Sequence, residues 1–322
     1  MPETISAASV NSYGQDPAIE ELSPPIRSQD EVLLRMHCAA LNFADLLQAR
    51  GEYQERVQPP FVPGLEGAGE VLEAPDGSGL IPGDRVAVCY SGTLAQMIAV
   101  PQDACIKIPR RMSFEQAAGF QIAYGSSHLA LTGLARLQPD ETLVVLGAAG
   151  GVGLTAVEIG HALGARVIGV VRGADKLQTV TDAGAEMVID SAECTDLRAE
   201  LRKAGGVHVV YDPVGGTAGK QAFGALRRGG RFLVIGFASG TPPELPLNHA
   251  LVKNIAIHGF YWGGYRELNP TALRQSLEEL FALFDKGKLT PVAGEILPLS
   301  RLADGYEMLR SRKAVGKILI SM

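Results

Sequence analysis

A glycine-rich loop follows a short apolar run in the segment VVLGAAGGVGLTAV, residues 144–157. Small residues in such a loop let backbone N–H groups approach a pyrophosphate, and the N-terminus of the following helix favours its negative charge. Ala148 stands at the first place of the G-x-G-x-x-G pattern, and Gly150 and Gly153 hold the other two. An ordinary tight turn is the alternative, but strand, loop, helix and second strand follow at the expected distances, which favours a dinucleotide site. The residues predicted to contact the dinucleotide here are Ala149, Gly150, Gly151, Val152 and Gly153.

The end of the second strand indicates which dinucleotide binds. NAD sites usually have an Asp or Glu about 20 residues on, where it accepts hydrogen bonds from a ribose. In VIGVVRGADKL that place is taken by Val171, and Arg172 and Lys176 follow it. An acid would repel a 2′-phosphate, whereas two cations can pair with one, so the pattern favours NADPH over NADH. The alternative is that both cations are solvated loop charges, and Asp175 between them could neutralise part of the patch.

A parallel sheet must position this loop, because six β-type runs alternate with helical segments after about residue 121. Continuous β-branched runs suit strands buried on both faces, and their alternation with helices predicts a doubly wound α/β sheet. Six strands are the number that a full dinucleotide-binding sheet requires. The runs cover residues 143–147, 166–171, 186–190, 207–214, 231–237 and 255–262.

The remaining sequence predicts a second domain. Residues 1–120 contain short strand-like runs broken by Gly and Pro, which is typical of a compact β-rich domain. The tail, residues 267–322, contains two helical segments and a last strand, and it is expected to return to the N-terminal domain because the sheet is already complete. We therefore expect one domain from residues 1–120 and 267–322, and a dinucleotide-binding domain from residues 121–266.

Composition and charge argue against several classes of function. The 322 residues carry a net charge of −6, which argues against a nucleic-acid surface. The four cysteines are scattered without C-x-x-C spacing, which favours reduced thiols over disulfides or a structural zinc site. Neither a signal-peptide pattern nor an apolar stretch of transmembrane length is found. We expect a cytoplasmic protein with no nucleic-acid or membrane partner.

Several motifs taken together resemble one enzyme superfamily. They are LNFADLLQARGEY (41–53), PFVPGLEGAGEV (60–71), PGDRV (82–86), GAAGGVG (147–153), YDPVGG (211–216) and GRFLVIGFASG (230–240). In this order and spacing, nearly the whole chain resembles the medium-chain dehydrogenase/reductase superfamily, specifically its zinc-free quinone oxidoreductase (zeta-crystallin-like) branch. The resemblance implies a GroES-like substrate domain, an inserted Rossmann domain, a cleft between them, and a homodimer joined through the last Rossmann strand near residues 255–262.

The chain departs from the zinc alcohol dehydrogenases of that superfamily at their metal ligands. By the resemblance, Asn42 and Leu65 stand where a cysteine and a histidine bind zinc, and a further cysteine would lie near Ala118. These side chains cannot build the tetrahedral site that polarises an alcohol oxygen. We therefore expect no zinc, and hydride transfer from NADPH to a small-molecule quinone or α,β-unsaturated carbonyl, which needs little Lewis-acid help.

Asn42, Tyr53 and Asp45 are the candidate catalytic residues, since the resemblance puts their segment at the cleft. Asn42 or Tyr53 could donate a hydrogen bond to the acceptor oxygen, and Tyr53 could also supply a proton. Alternatively, Tyr53 packs in a surface loop and Asn42 caps the helix that follows. Asp45 is expected to hold the loop by hydrogen bonds rather than act as a base.

Further cofactor contacts are expected after the later strands. Gly236 and Phe237 should lie under the nicotinamide or its ribose, and Val214 should line the same trough. Tyr261 could close over the nicotinamide, although aromatic residues at a strand end also serve packing or dimer contacts. Lys317 could approach the pyrophosphate or remain in solvent.

Two other functions stay open. One is an enoyl-thioester reductase of the same superfamily, which would need a basic entry groove that the sequence does not clearly offer. The other is an NADPH-binding structural or regulatory protein with little turnover. The presence of Asn42, Asp45 and the nucleotide loop favours an enzyme.

Overall fold

The computed structural model describes residues 2–53, 56–291, 293–311 and 316–322. The chain forms two compact units, the first from residues 1–122 and 291–322 and the second from residues 123–290. The predicted boundary at 266/267 differs from this division, because residues 267–290 lie in the second unit. None of the described helices is long and apolar enough to cross a membrane.

The secondary structure follows the predicted pattern of a β-rich unit interrupted by an alternating α/β unit. The described strands are β1 (Ile5–Ser9), β2 (Ala18–Leu22), β3 (Glu31–Leu41), β4 (Glu66–Glu73), β5 (Arg85–Val88), β6 (Met97–Pro101), β7 (Cys105–Lys107), β8 (Thr142–Leu146), β9 (Arg166–Val171), β10 (Met187–Asp190), β11 (Val207–Asp212), β12 (Leu226–Val234), β13 (Ala256–Gly259), β14 (Ala293–Pro298) and β15 (Lys317–Ser321). The described α-helices are α1 (Phe43–Ala49), α2 (Phe114–Ala118), α3 (Gln121–His128), α4 (Gly151–Ala162), α5 (Leu177–Asp182), α6 (Leu197–Lys203), α7 (Gly216–Ala225), α8 (Leu247–Lys253), α9 (Tyr265–Leu268), α10 (Pro270–Asp285) and α11 (Leu302–Ser311).

The second unit is built on a parallel sheet in which, over the described residues, six strands lie in the order β10-β9-β8-β11-β12-β13. Numbered along the chain within this unit, the order is 3-2-1-4-5-6, which is that of dinucleotide-binding sheets. Every residue of β8 is buried, as expected of a central strand covered on both faces. The predicted six-stranded α/β sheet is confirmed.

The first unit contains a sheet with the strand order β14-β15-β3-β4-β5-β7, and β6 pairs with β3. Its neighbouring strands are antiparallel except for β14 and β15. The long strand β3 bends through register shifts, pairs with β4, β6 and β15, and leads directly into α1. It thereby brings the start of α1 close to the end of the chain.

Helix α10 accounts for the shifted unit boundary. Its buried face includes Leu277 and Leu280, and Ser276 Oγ lies 2.9 Å from Nδ1 of the buried His128 at the end of α3. The amphipathic pattern predicts the helix correctly. It does not indicate which unit receives the apolar face, because that depends on the partner surface and not on the period of the helix.

Candidate active site

The glycine-rich loop lies at the carboxyl end of β8, where Gly147 has a φ of +60°. Only glycine adopts such a conformation readily, so the strained position falls on Gly147 and Ala148 keeps an ordinary backbone. A Cβ atom at Gly153 would lie 2.1 Å from the Gly147 carbonyl oxygen, so glycine lets α4 begin close to the loop. Gly150, the N-cap of α4, offers no side-chain acceptor to the first N–H groups of the helix. Those donors suit a pyrophosphate.

The turn after β9 carries the two predicted phosphate-binding cations. Val171 ends the strand, Arg172 is exposed and Lys176 is half-buried. The N–H of Gly173 donates to Asp190 Oδ1 at 2.9 Å. This bond and a second backbone N–H lower the pKa of Asp190, so the turn contains an ionised carboxylate that the sequence analysis missed. The sequence feature that could have indicated this carboxylate is an acidic residue at the end of the third parallel strand.

An aspartate at the end of β11 holds the next loop. Asp212 is buried and its Oδ1 accepts the N–H groups of Val214 at 2.8 Å and Gly215 at 2.7 Å. Burial raises the pKa of Asp212, and those two N–H groups oppose the rise. Val214 lies beside the nucleotide loop, since a Cβ at Gly147 would approach a Val214 methyl carbon at 2.9 Å. The N–H of Gly236 donates to the Asp212 carbonyl oxygen at 3.2 Å, which brings the loop after β12 to the same edge.

The predicted aromatic contacts differ in exposure. Phe237 is 44% exposed and Tyr261 is 41% exposed, both at the carboxyl edge of the sheet. Trp262 is buried, and its indole packs on Gly125, where a Cβ would lie 2.5 Å from Nε1. Tyr261 and Phe237 are therefore the rings exposed at this edge, whereas Trp262 belongs to the core of this unit.

A buried hydroxyl cluster lies beneath the nucleotide loop. Ser127 Oγ is 2.8 Å from Thr155 Oγ1 and 3.0 Å from the Tyr211 hydroxyl. The Ser127 and Thr155 hydroxyls also contact the carbonyl oxygen of Val152, each at 3.0 Å. The cluster fixes the first turn of α4. Sequence patterns did not predict this cluster, although polar residues within otherwise apolar elements were the available signal.

In the first unit, Asn42 and Asp45 lie at the start of α1. Asn42 is the N-cap residue, and its backbone N–H donates to Asp45 Oδ2 at 2.6 Å. Asp45 is fully buried, and burial raises the pKa of its carboxyl to about 7, against the lowering effects of the Asn42 N–H and the Lys317 charge. In this arrangement Asp45 holds the loop that carries Asn42.

Lys317, at the start of β15, lies beside the same loop and not in solvent. Its ammonium donates to Asn42 Oδ1 at 2.6 Å and to Glu66 Oε1 at 2.7 Å. Glu66 is fully buried, and its Oε2 accepts the N–H of Ile122 at 2.9 Å. Asn42, Glu66 and Lys317 therefore form one hydrogen-bonded group, which joins positions 275 residues apart in the sequence.

This group does not suit a zinc ion. Zinc is held by thiolate, imidazole or carboxylate ligands, but Asn42 is an amide, Leu65 and Ala118 are aliphatic, and the Glu66 carboxylate already pairs with an ammonium. Within residues 2–53, 56–291, 293–311 and 316–322, no three His, Cys, Asp or Glu side chains are grouped so that they could hold a metal ion.

Tyr53 follows α1 and is half-buried, next to residues 54 and 55, which lie outside the described part of the chain. Its suggested role as a hydrogen-bond or proton donor stays a prediction.

Two family models match the chain, in line with the two units. The GroES-like domain of alcohol dehydrogenases matches residues 28–110, and the zinc-binding dehydrogenase family matches residues 151–281. The second match includes most of α10, in agreement with the observed division. It covers the nucleotide loop from the start of α4 onward.

Other proteins are similar to this one over nearly the full length of the chain. A quinone oxidoreductase-like protein 2 homolog of Nematostella vectensis is 36% identical, over 99% of this chain and 89% of that protein. The acryloyl-coenzyme A reductase of Metallosphaera sedula is 30% identical, over 98% of this chain and 100% of that protein. The quinone oxidoreductase of Thermus thermophilus, solved also as a complex with NADPH, superimposes with a TM-score of 0.88 at 30% identity, over 98% and 100% of the two chains.

Proposed function

Because this chain belongs to the medium-chain dehydrogenase/reductase superfamily, in its quinone oxidoreductase-like group, we propose that it is an NADPH-dependent, zinc-independent reductase of quinones or α,β-unsaturated carbonyls. The chain is an oxidoreductase of that superfamily, and the cofactor and acceptor are the proposed part. The observation that carries the proposal is the nucleotide loop at the start of α4, followed one strand later by Arg172 and Lys176 in place of an acid.

The arrangement of residues in the second unit supports NADPH as the cofactor. Glycines at 147, 150 and 153 leave room for a pyrophosphate at the N-terminus of α4, and Arg172 and Lys176 can pair with a 2′-phosphate. Val214, Gly236, Phe237 and Tyr261 are the proposed contacts of the nicotinamide half. When bound, the cofactor supplies a hydride from C4 of its nicotinamide.

The proposed acceptor is a small molecule whose carbonyl oxygen takes up the charge of the hydride. Quinones and enones delocalise that charge themselves, so they need hydrogen-bond donors more than a Lewis acid. The donor set around Asn42 agrees with this, because it holds an ammonium–carboxylate pair and no suitable zinc ligands. Asn42, Tyr53 and Asp45 remain the proposed catalytic segment.

A second candidate is the reduction of enoyl thioesters. It is supported by the 30% identity to the acryloyl-coenzyme A reductase, which matches this chain over 98% of its length. An NADPH-binding protein with little turnover is the third possibility, and it makes a different prediction in the same assay.

We also propose a cytoplasmic homodimer. The four cysteines are free, as reduced thiols in a cytoplasmic protein would be. Strand β13 is an edge strand of the sheet, and the adjoining surface carries the exposed apolar residues Leu247, Leu251, Val252 and Ile257. Such a surface is typical of a contact between subunits.

The test is NADPH oxidation against ortho- and para-quinones, enals, enones and enoyl thioesters, with metal analysis of the same preparation. We expect turnover with quinones or enones and no stoichiometric zinc. Preference for thioesters would favour the second candidate. Tight NADPH binding without turnover on any acceptor would reject the enzyme, and one bound zinc per chain would reject the zinc-independent site.

A further inference from the structure

Lys317 is a largely buried cation that is slightly more exposed than the carboxylate with which it pairs. Glu66 is 0% exposed, whereas the Lys317 side chain is 11% exposed, so solvent reaches this ion pair from the lysine. The lysine chain passes over Gly119, where a Cβ would lie 3.1 Å from the Lys317 Cγ. The absence of a side chain at Gly119 thus gives Lys317 its path.

The hydrogen-bonded group of Asn42, Glu66 and Lys317 also determines which atoms of the Asn42 amide can bind a substrate. An ammonium can only donate, so it requires the amide oxygen of Asn42, and the amide nitrogen must donate to other acceptors. The Asn42 Nδ2 atom donates to Glu66 Oε1 at 3.2 Å and to the Ala40 carbonyl oxygen at 3.4 Å. Both N–H bonds of the amide are therefore engaged, which leaves Asn42 without a donor for a substrate.

Two of the three N–H bonds of the Lys317 ammonium have acceptors among the described residues. Those acceptors are Asn42 Oδ1 and Glu66 Oε1. The third N–H is therefore left to bind an oxygen atom of a ligand. It is a charged donor, and charge-assisted hydrogen bonds to an oxyanion are about twice as strong as neutral ones.

We propose that Lys317 is the catalytic hydrogen-bond donor of this enzyme, and that its ammonium binds the carbonyl oxygen of the acceptor while Glu66 and Asn42 orient it. The inference rests on the proposed reduction of quinones or enones. It moves the oxyanion-binding role from Asn42, where the sequence puts it, to a residue near the end of the chain.

The step balances with water as the source of the proton. In an enone, the hydride forms a C–H bond at the β-carbon, and the electron pair of the C=C bond moves toward the carbonyl oxygen to give an enolate. The ammonium stabilises that negative oxygen and keeps its proton, and water then protonates the α-carbon. The enone is reduced by two electrons, and the cofactor is oxidised by two.

The kinetic test is Lys317→Met in the full-length protein, with Lys107→Met as the matched control. Lys107 lies in the same unit, is 53% exposed and pairs with Asp84. Loss of one oxyanion donor typically lowers kcat by about 10²- to 10³-fold. We expect a fall of that size for Lys317→Met, a larger fall for enones than for easily reduced quinones, an unchanged NADPH Kd, and wild-type kinetics for Lys107→Met.

A second pair of variants separates chemistry from folding. Lys317→Met alone leaves Glu66 buried without its cation, which is destabilising, so the double variant with Glu66→Gln removes both charges. Lys317→Cys alkylated with 2-bromoethylamine restores an ammonium at the same place, with identically treated wild type as the control for Cys194. A folded double variant with wild-type kcat would overturn the proposal, as would an alkylated cysteine variant that binds NADPH yet regains no activity.

A binding readout keeps this inference distinct from the proposed function. The probe is 4-nitrophenol, whose phenolate absorbs visible light, titrated against the NADP⁺-loaded protein. We expect the wild type to lower the pKa of the bound phenol and Lys317→Met to abolish that shift. If no acceptor is turned over but the shift depends on Lys317, the proposed function fails and the oxyanion site stands. If acceptors are turned over and neither the shift nor kcat depends on Lys317, the oxyanion site fails alone.

Discussion

Two carboxyl groups beside α1 are buried in different ways. Glu66 meets the Lys317 ammonium at 2.7 Å, which compensates its charge directly. Asp45 accepts the Asn42 N–H, and burial nevertheless raises the pKa of its carboxyl to about 7. Burial therefore makes the ionisation of Asp45 unfavourable, whereas the Lys317 cation balances the charge of Glu66.

The first residue-scale prediction concerns Asp45→Asn and the pH dependence of stability. The pKa of Asp45 is about 7 in the folded protein and about 3.9 in an unfolded chain. Between these values the folded protein retains a proton that the unfolded chain has lost, so the wild type loses stability as pH rises from about 4 to about 7. Asp45→Asn should be close to wild type at pH 4 and more stable at pH 8, by an amount on the order of 2–4 kcal/mol.

The measurement is urea unfolding of both proteins at pH 4, 6 and 8. Asp190→Asn, measured also at pH 3, is the control of opposite sign, because backbone hydrogen bonds lower the pKa of Asp190 and its stabilisation is present above about pH 4 and lost below it. A stability difference between wild type and Asp45→Asn that does not change with pH would contradict the raised pKa.

The second residue-scale prediction concerns cofactor choice. Arg172→Ala with Lys176→Ala should raise the KM for NADPH by about 100-fold or more, since two charged hydrogen bonds contribute about 1.5–3 kcal/mol each, and should leave the KM for NADH almost unchanged. Asp175→Asn should act in the opposite direction on NADPH, because it removes a negative charge from the same turn. Equal effects of the double variant on both cofactors would refute the 2′-phosphate assignment.

At the scale of elements, the start of α4 is positioned by contacts on both sides. The nucleotide loop approaches Gly153 from above, and the hydroxyls of Ser127 and Thr155 hold the Val152 carbonyl from below. Backbone on one side and buried side chains on the other leave the first turn little room to move. Rigid N–H donors of this kind bind phosphate without reorganising.

The element-scale prediction compares two glycines of the same helix. Gly153→Ala would put a Cβ 2.1 Å from the backbone oxygen of Gly147, so the loop itself must move. Gly160→Ala meets a side-chain methyl of Leu143 at 2.6 Å, which can rotate away. We expect Gly153→Ala to weaken NADPH binding at least about tenfold, or by about 1.4 kcal/mol, and Gly160→Ala to lower Tm with little change in Kd. Equal Kd values for the two variants by fluorescence titration would contradict this.

At the scale of the whole molecule, the chain leaves the first unit near residue 122 and returns at residue 291. The last strand, β15, pairs with β3 and carries Lys317 to the segment that begins α1. The end of the chain is therefore part of the candidate site. The second unit presents β13 as its edge strand, with an apolar surface beside it.

The whole-molecule prediction is that Leu251→Glu with Val252→Glu converts the proposed dimer to a monomer, because these side chains are 79% and 64% exposed on the helix that precedes β13. Leu268→Glu is the control, since Leu268 is 74% exposed on α9. Light scattering on a size-exclusion column would measure the mass of each. A wild-type monomer, or a dimer that survives the double substitution, would reject this interface.

Patterns that extend over a few residues of the sequence were sufficient to predict most helices and strands. The six strands of the second unit, the glycines of its loop and helix α1 each follow from periodicity, turn chemistry and the glycine pattern, which act over a few residues. Predictions failed where the answer depended on a partner distant in the chain. The amphipathic pattern does not indicate which unit receives helix α10, and nothing near Lys317 in the sequence indicates that its ammonium meets Asn42 and Glu66 rather than solvent.

The sequence by itself determined that a dinucleotide-binding sheet is inserted in a β-rich unit, because each strand and turn carries its own pattern. It also predicted, through the family resemblance, that Asn42 and Leu65 replace zinc ligands, because ligand identity is a property of single residues. Only the tertiary structure decided that Lys317, Glu66 and Asn42 meet. The role of a lysine ammonium depends on the groups that folding brings within hydrogen-bonding distance of it. The pairing of β15 with β3 supplies that proximity, and no pattern local to Lys317 encodes it.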